Sequence, residues 1–248
     1  MAFSIIGLGL NPPEDITLRG LNLIKKAKKV YLESYTNKLQ AGLDKLNKAF
    51  SKEIILISRQ LLEETETLVR EARELNVALL VLGDPLLATT HFELLLRMKQ
   101  AKIKVNVIHN ASINEAILDT GLQGYKFGRT VSLPHEKASS PYDYIQKNKA
   151  AGLHTLLLLD VERPGFDYMT IKQAVIRLQE LEAKKKQKLI TNSSLLIGCS
   201  ALGSPRQILF AGTPAELIEQ EFGAPPHCLI IPGELHFLET EAISLLKH

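Results

Sequence analysis

The chain is poor in most features that would assign it quickly. Only two cysteines occur among its 248 residues, Cys199 and Cys228, far apart and each inside an apolar run. That spacing gives neither a disulfide framework nor a metal or redox pair, so both read as buried strand residues in a reducing compartment. The seven histidines form no H-x3-H or H-E-x-x-H pattern, which argues against a zinc site. Charge is nearly balanced: 30 Lys+Arg against 27 Asp+Glu leave +3. A dedicated nucleic-acid binder would carry a strongly basic face. No apolar run approaches about 18 residues, so no spanning helix is expected. The N-terminus lacks the basic-then-apolar order of a signal peptide; Phe3–Leu10 reads as a strand instead. Walker loops and internal repeats are missing. Gly 15 and Pro 11 are too few for collagen-like or low-complexity chains. These absences leave a cytosolic protein that works without nucleic acid, membrane or metal.

What is present is ordinary globular composition, 45% apolar and 23% charged. At roughly 150 residues per domain, the length suits one large domain or two small ones. Strand-like and helix-like segments alternate from end to end. Strands are expected at Phe3–Leu10, Val30–Leu32, Glu53–Ser58, Val77–Leu82, Val105–His109, Arg129–Leu133, His154–Asp160, Leu195–Ser200, Gln207–Ala211 and Cys228–Ile231. Helical spacing of apolar residues marks Thr17–Lys29, Leu61–Asn76 and the segment after Thr170. Capping boxes are expected at Thr90/Glu93 and Ser112/Glu115. A helix opens at Ser140-Pro141 and closes at Gly152; another runs from Thr213 to Gly223; a last one follows Pro232-Gly233. This alternation argues α/β architecture. The split is expected near residues 110–114, giving a mostly parallel domain 1–111 and a mixed-sheet domain 112–248. The basic runs Lys25–Lys29 and Lys184–Lys188 fall at helix ends, where cations suit the dipole.

In open α/β sheets, ligands bind at the carboxyl ends of strands. Strand-end loops of unusual composition are Gly7–Leu10, Gly83–His91, His109–Ile113 and Leu159–Glu162. Gly7-x-Gly9 begins a dinucleotide fingerprint, but Pro12 stands where its third glycine should be, followed by Glu14 and Asp15. Gly83-Asp84-Pro85 is more telling. Asp84 either caps a tight turn or holds a polar ligand, and Asp160 and His227 carry the same two readings.

Taken together, these segments resemble the diphthine synthases, within the wider class of two-domain tetrapyrrole-methylase-like proteins. The resemblance rests on Ile6–Leu10, Asp15–Leu21, Glu33–Thr36, Gly83–Leu86, Ala88–His91, Val107–His109 and Ala111–Ile113. It continues through Gly121-Leu122, Tyr125–Gly128, Gly152–Leu156, Tyr168–Thr170, Phe222-Gly223, Pro225–His227 and Pro232-Gly233-x-Leu235-His236. It implies two α/β domains with a cofactor cleft between them, and an S-adenosylmethionine-dependent methyltransferase that releases S-adenosylhomocysteine. The implied acceptor is the amino group of the 3-carboxy-3-aminopropyl extension on a histidine of translation elongation factor 2. Archaeal members stop at diphthine, the trimethylammonium product; eukaryotic members also methylate the carboxylate. The cofactor positions carried over are Leu10, Asp84, Leu87, Ser112, Ile113, Leu159, Ser200 and His227, and a homodimer is expected. Departures are the arginine missing from Ser200-Ala201-Leu202-Gly203-Ser204, and Asn37 and Asn110 where small residues are commoner. Two other readings stand beside this one: a tetrapyrrole methyltransferase of the same fold, and a nucleotide-binding module without catalysis. The first would open with a G-x-G-P-G-D type loop, absent here. The acceptor amine must be neutral when attacked, yet no dedicated base stands out in the sequence.

Overall fold

The computed structural model describes residues 1–33, 42–58, 62, 66–136, 138–161 and 167–246. Ser34–Asn37, the Leu61 and Thr65 positions of the expected helical face, and Glu162 lie outside the described residues. The chain divides into two compact units, Met1–Ile113 and Asn114–His248. Among the described residues no helix is long and apolar enough to cross a membrane, and no cluster of three or more His, Cys, Asp or Glu could hold a metal ion.

The first unit is built on five strands, β1 (Ala2–Gly7), β2 (Lys29–Glu33), β3 (Ile54–Ile57), β4 (Val77–Val81) and β5 (Lys104–Ile108), in the order β3-β2-β4-β1-β5. Each pairing is parallel, with Phe3 opposite Val77 and Val105, and Val30 opposite Ala78 and Ile54. A parallel sheet must be covered on both faces, so its strands read as continuous apolar runs. Period-two alternation then sorts them. Phe3, Ile5, Leu79 and Val81 face one layer, where Leu68 and Ala72 of α3 (Glu66–Glu74) and Leu94, Leu95 and Met98 of α4 (His91–Gln100) pack. Ile6, Ala78 and Leu80 face the other, with Ile24 of α1 (Leu18–Lys26) and Leu46 and Phe50 of α2 (Leu43–Phe50). Thr17 caps α1 by accepting from the Gly20 N–H.

Three expectations need correction here. The helix α2 is present though unread; Gly42 before it offers no side-chain cap, so its start carries no sequence signal. The Thr90/Glu93 box does not form. Thr90 sits at φ −96°, ψ 6°, outside the extended region a cap needs, and Glu93 pairs with Arg97 at 2.7 Å instead. β1 ends at Gly7, so Leu10 belongs to the loop.

The second unit has strands β6 (Val131–Leu133), β7 (Thr155–Leu159), β8 (Leu196–Ser200), β9 (Ile208–Gly212) and β10 (His227–Ile231), ordered β6-β7-β10-β8-β9. β6 and β7 are parallel; β10 runs antiparallel to both β7 and β8, and β9 antiparallel to β8. Its core joins Leu157, Leu229 and Leu196 to Tyr142 and Ile145 of α6 (Ser140–Ala150) and Val175, Leu178 and Leu181 of α7 (Ile171–Lys185). Capping boxes form at Thr170/Gln173 and, ahead of α8 (Pro214–Glu219), at Thr213/Glu216. α8 stops before the expected Gly223. Its last residue, Glu219, and the nearby Glu221 put negative charge at the negative end of the dipole. Cys199 and Cys228 face each other across β8 and β10, both buried. Their mutual sulfur contact, with burial, pushes the Cys199 thiol well above its ordinary range.

The first turn of the last helix, α9 (Phe237–Ser244), hosts a buried ionic knot. Glu239, fully buried, accepts from His154 Nε2 at 2.9 Å, from the Gln123 and His236 N–H groups at 2.8 and 2.7 Å, and from Lys126 Nζ. His154 in turn accepts the Gly233 N–H on Nδ1 at 2.9 Å, so Nε2 carries its proton. Segments 121–128, 152–156 and 232–236 were singled out in the sequence, and this knot is where they meet.

Candidate active site

In the first unit, the carboxyl ends of β4, β1 and β5 lie side by side. The loops leaving them are stitched together by backbone. Gly9 N–H donates to the Gly83 carbonyl at 3.3 Å, and Gly83 N–H returns to Gly9 at 2.8 Å. Gly7 shows why a side chain is excluded: a Cβ there would stand 2.6 Å from the Gly83 oxygen. Gly83 has the opposite reason. It adopts φ +72°, the left-handed region, yet a Cβ would meet nothing nearer than Ala111 O at 3.9 Å and Ser112 Cα at 4.0 Å. Gly83 is itself buried, and its left-handed turn packs at van der Waals distance against Ala111 and Ser112 of the loop after β5.

Asp84 organises this corner. Its Oδ1 accepts from Leu86 N–H at 2.9 Å, as a turn cap does. Its Oδ2 accepts from His109 Nδ1 at 2.7 Å and from Asn110 N–H at 3.3 Å. A carboxylate offers about four acceptor positions, so one remains, and the side chain is 14% exposed. The cap reading of Asp84 is therefore realised without exhausting the group. Leu87 lies in the same turn, its N–H near the Asp84 carbonyl at 3.4 Å. Behind the turn, buried His91 donates from Nδ1 to the Pro85 carbonyl at 2.9 Å, and Thr89 Oγ1 donates to the same oxygen. Glu33, also buried at the end of β2, stands 3.6 Å from His91 Nε2.

Two residues outside the expected set do much of the positioning. Asp15 Oδ2 accepts the N–H groups of Leu10 and Asn11 at 3.0 and 2.8 Å, so Leu10 keeps only its carbonyl for a ligand. Asn110 donates from Nδ2 to the carbonyls of Gly7 and Asp15 at 3.0 and 2.9 Å, clamping the β1 loop to the end of β5. The signal for Asp15 was its short distance after Gly7-x-Gly9; Asn110 offered none beyond its being unusual. Ser112 is buried and Ile113 half-buried where α5 (Ile113–Ala116) begins. Leu10, Asp84, Leu87, Ser112 and Ile113 thus belong to one strand-end corner.

The other three residues form a set in the second unit. β10 runs against β7 and β8, so its first residue lies level with their last. His227 pairs with Ser200, and Leu159 is one step beyond the Leu158–Cys228 pair. Leu159 and Ser200 are buried. Neither nitrogen of the His227 ring has a hydrogen-bond partner, and both are closed off from solvent. Burial holds this imidazole below its usual range, against a smaller opposing pull from the backbone of Phe222 and Gly223. Two orphaned nitrogens on one ring cost free energy unless something fills them. After Ser200, Ala201 takes φ +47° and its N–H reaches Pro226. The turn is closed by Ser204 and Gln207, and the Arg206 N–H donates to Ser204 Oγ at 3.2 Å.

In the first unit a spare carboxylate acceptor on Asp84 suits a small polar ligand; in the second, taken by itself, the His227 ring nitrogens lack partners. The model of tetrapyrrole (corrin/porphyrin) methylases matches residues 2–218. The diphthine methyl ester synthase of Schizosaccharomyces pombe is 40% identical over 98% of this chain and 95% of its own length. The diphthine synthase of Methanococcus vannielii is 39% identical over 97% and 96%. A crystal structure of diphthine synthase superposes with a TM-score of 0.92 at 31% identity, over 100% of this chain and 96% of that one. The chain belongs to the diphthine synthase family, the methyltransferases of diphthamide biosynthesis built on the tetrapyrrole-methylase fold.

Proposed function

We propose that the chain transfers methyl groups from S-adenosylmethionine to the amino group of the 3-carboxy-3-aminopropyl-histidine of translation elongation factor 2, in the cytoplasm. The observation that carries this reading is full-length similarity to relatives named for diphthine and its methyl ester, from both a eukaryote and an archaeon. The composition of the strand-end loops supports it further. A tetrapyrrole bears many carboxylates and would call for clustered cations, whereas Gly7–Leu10, Gly83–His91 and His109–Ile113 contain no Arg or Lys.

Leu10, Asp84, Leu87, Ser112, Ile113, Leu159, Ser200 and His227 are the residues proposed to hold the cofactor. When bound, the cofactor supplies a methyl group already activated on a sulfonium. The chain's share is alignment and exclusion of water. Asp84 suits the cationic end of such a ligand, and His227 has two unfilled nitrogens. Apolar Leu10 and Leu87 lower the dielectric of the first unit's corner, which favours a neutral amine.

Asp84→Asn is expected to cost about 1.5–3 kcal/mol of affinity for S-adenosylhomocysteine, roughly 10- to 150-fold, with a stability change near 1 kcal/mol. Calorimetry giving equal affinity for both proteins would reduce Asp84 to a turn cap. The function itself is tested with purified protein, methyl-labelled cofactor, intermediate-bearing elongation factor 2 and a uroporphyrinogen control. Label is expected in the protein acceptor; label in the tetrapyrrole alone would overturn the reading. The working form is proposed to be a homodimer, and a single 27.6 kDa species in light scattering would refute that.

A further inference from the structure

An amine acceptor is an ammonium at neutral pH, and its nitrogen must shed one proton for each methyl group it gains. Something has to take that proton where water is excluded. A candidate base needs a lone pair on the open side of the site and a partner that fixes its tautomer. The described histidines can be sorted on that ground. His154 is buried, with both nitrogens used. His91 is buried against Pro85 and Glu33. Both ring nitrogens of His227 are closed to solvent. His135 donates Nε2 to the Asp167 carbonyl. His236 is exposed, but its Nδ1 accepts the Leu238 N–H, so its other nitrogen carries the proton.

His109 is the exposed histidine of the Asp84 corner. It stands at the end of β5, 67% exposed, with Nδ1 2.7 Å from Asp84 Oδ2. An ionised carboxylate only accepts, so Nδ1 bears the hydrogen and the lone pair lies on Nε2, at the opposite edge of the ring. Asp84 is itself fixed by Leu86 and Asn110. Asp84 is the ionisable side chain in contact with the ring. Asp15 meets Asn110 through its backbone carbonyl, and its carboxylate is turned to Leu10 and Asn11.

We infer that His109 is the proton acceptor for the substrate amine, oriented by Asp84. This rests on the amine-methylating function proposed above. In the step, the ammonium N–H bond breaks and its electron pair stays on nitrogen. A new N–H bond forms with the Nε2 lone pair. The imidazolium then releases the proton to bulk water, once per methyl group. The freed nitrogen pair is the nucleophile. His109 is thus a catalytic residue, and Asp84 positions it in addition to its place in the turn.

The test compares the parent with His109→Gln. Calorimetric affinity for S-adenosylhomocysteine is expected to stay within about twofold, since the exposed ring holds no backbone. Single-turnover transfer to modified elongation factor 2 at pH 7 is expected to fall about 100-fold or more. Raising the pH should speed the variant about tenfold per unit, as the acceptor deprotonates unaided, while the parent levels off. His109→Ala should regain part of the rate with added imidazole. Nitrogen-15 spectra of the unliganded parent should show a hydrogen on Nδ1 of His109. A resting tautomer with hydrogen on Nε2 would overturn the inference even if neither variant folds. So would a rate loss equal at every pH, an unchanged rate, or a loss explained by cofactor affinity. A parent that never labels the amine would instead refute the function on which the inference rests.

Discussion

Glu239→Ala should lower the stability of the protein by about 3–5 kcal/mol, the range for removing one partner of a buried ion pair. The substitution strips an acceptor from Lys126, His154 and the N–H groups of Gln123 and His236. Lys126 is only 21% exposed and His154 not at all, so water cannot replace the lost partner in full. Burial alone would raise the Glu239 carboxyl. Lys126, the two backbone N–H groups and His154 outweigh it and hold the group at about 2, against an ordinary 4.5. A depressed acid stabilises the fold above its unfolded value and ceases to do so as pH falls through the folded one. The contribution, about 3 kcal/mol, is therefore complete above about 4.5 and disappears towards 2. His154 adds an earlier loss. Burial keeps its imidazole below the ordinary 6.5, so acidification under that value already favours the unfolded chain, which can take up the proton. Urea midpoints measured from pH 7 to pH 2 check both slopes. A Glu239→Gln variant with the parent's acid profile would contradict the assignment.

Gly7→Ala should be a severely damaging single methyl in the first unit. The added carbon would sit 2.6 Å from the Gly83 carbonyl and 3.0 Å from Asn110 Cβ and Pro85 Cδ. The first of these is backbone pinned by the Gly9 bridge, so it cannot swing aside. Overpacking of this kind costs about 3 kcal/mol, the upper end of the usual range, or more. Cofactor affinity should be lost with it, because parting the two loops moves Asp84. Gly83→Ala is the control. Its cost is the left-handed backbone, about 1–2 kcal/mol, with no collision in the folded chain. Thermal unfolding of the two variants tells them apart; equal losses would mean that crowding at Gly7 is not what its neighbours impose.

The sequence exposed periodicity, strand ends and turn chemistry, and the architecture followed from those. The continuous run Val77–Leu82 could only be a strand covered on both faces, and Thr170, Thr213 and Thr17 announced their helices by residue type. Thr90 misled for the same reason: its residue type suits a cap, but its backbone is turned by the Pro85–Thr89 loop it ends. Asn110 could not be found by pattern, because its contacts join residues up to 103 positions apart; Asp15 acts locally on Leu10 and Asn11, and its spacing after Gly7-x-Gly9 was its one mark. His109 was visible only as part of a loop. Its distinction from His236 lies in whether Nδ1 gives or receives a hydrogen, which depends on Asp84, 25 residues earlier.

The placement of Glu239 has a consequence for the order in which the chain is made. The sheet of the first unit is complete once Ile108 has emerged from the ribosome. The second unit has no such early closure. Lys126 and His154 precede their shared acceptor, Glu239, by 113 and 85 residues. At typical rates of synthesis that is a wait on the order of 10 s. During it the β6 and β7 region carries a cation, Lys126, and a neutral imidazole, His154, both destined for partial or full burial and both still without their acceptor. A nascent chain stalled short of α9 would hold a finished first half and an unlocked second, which makes the last helix the step that commits the polypeptide to its native form.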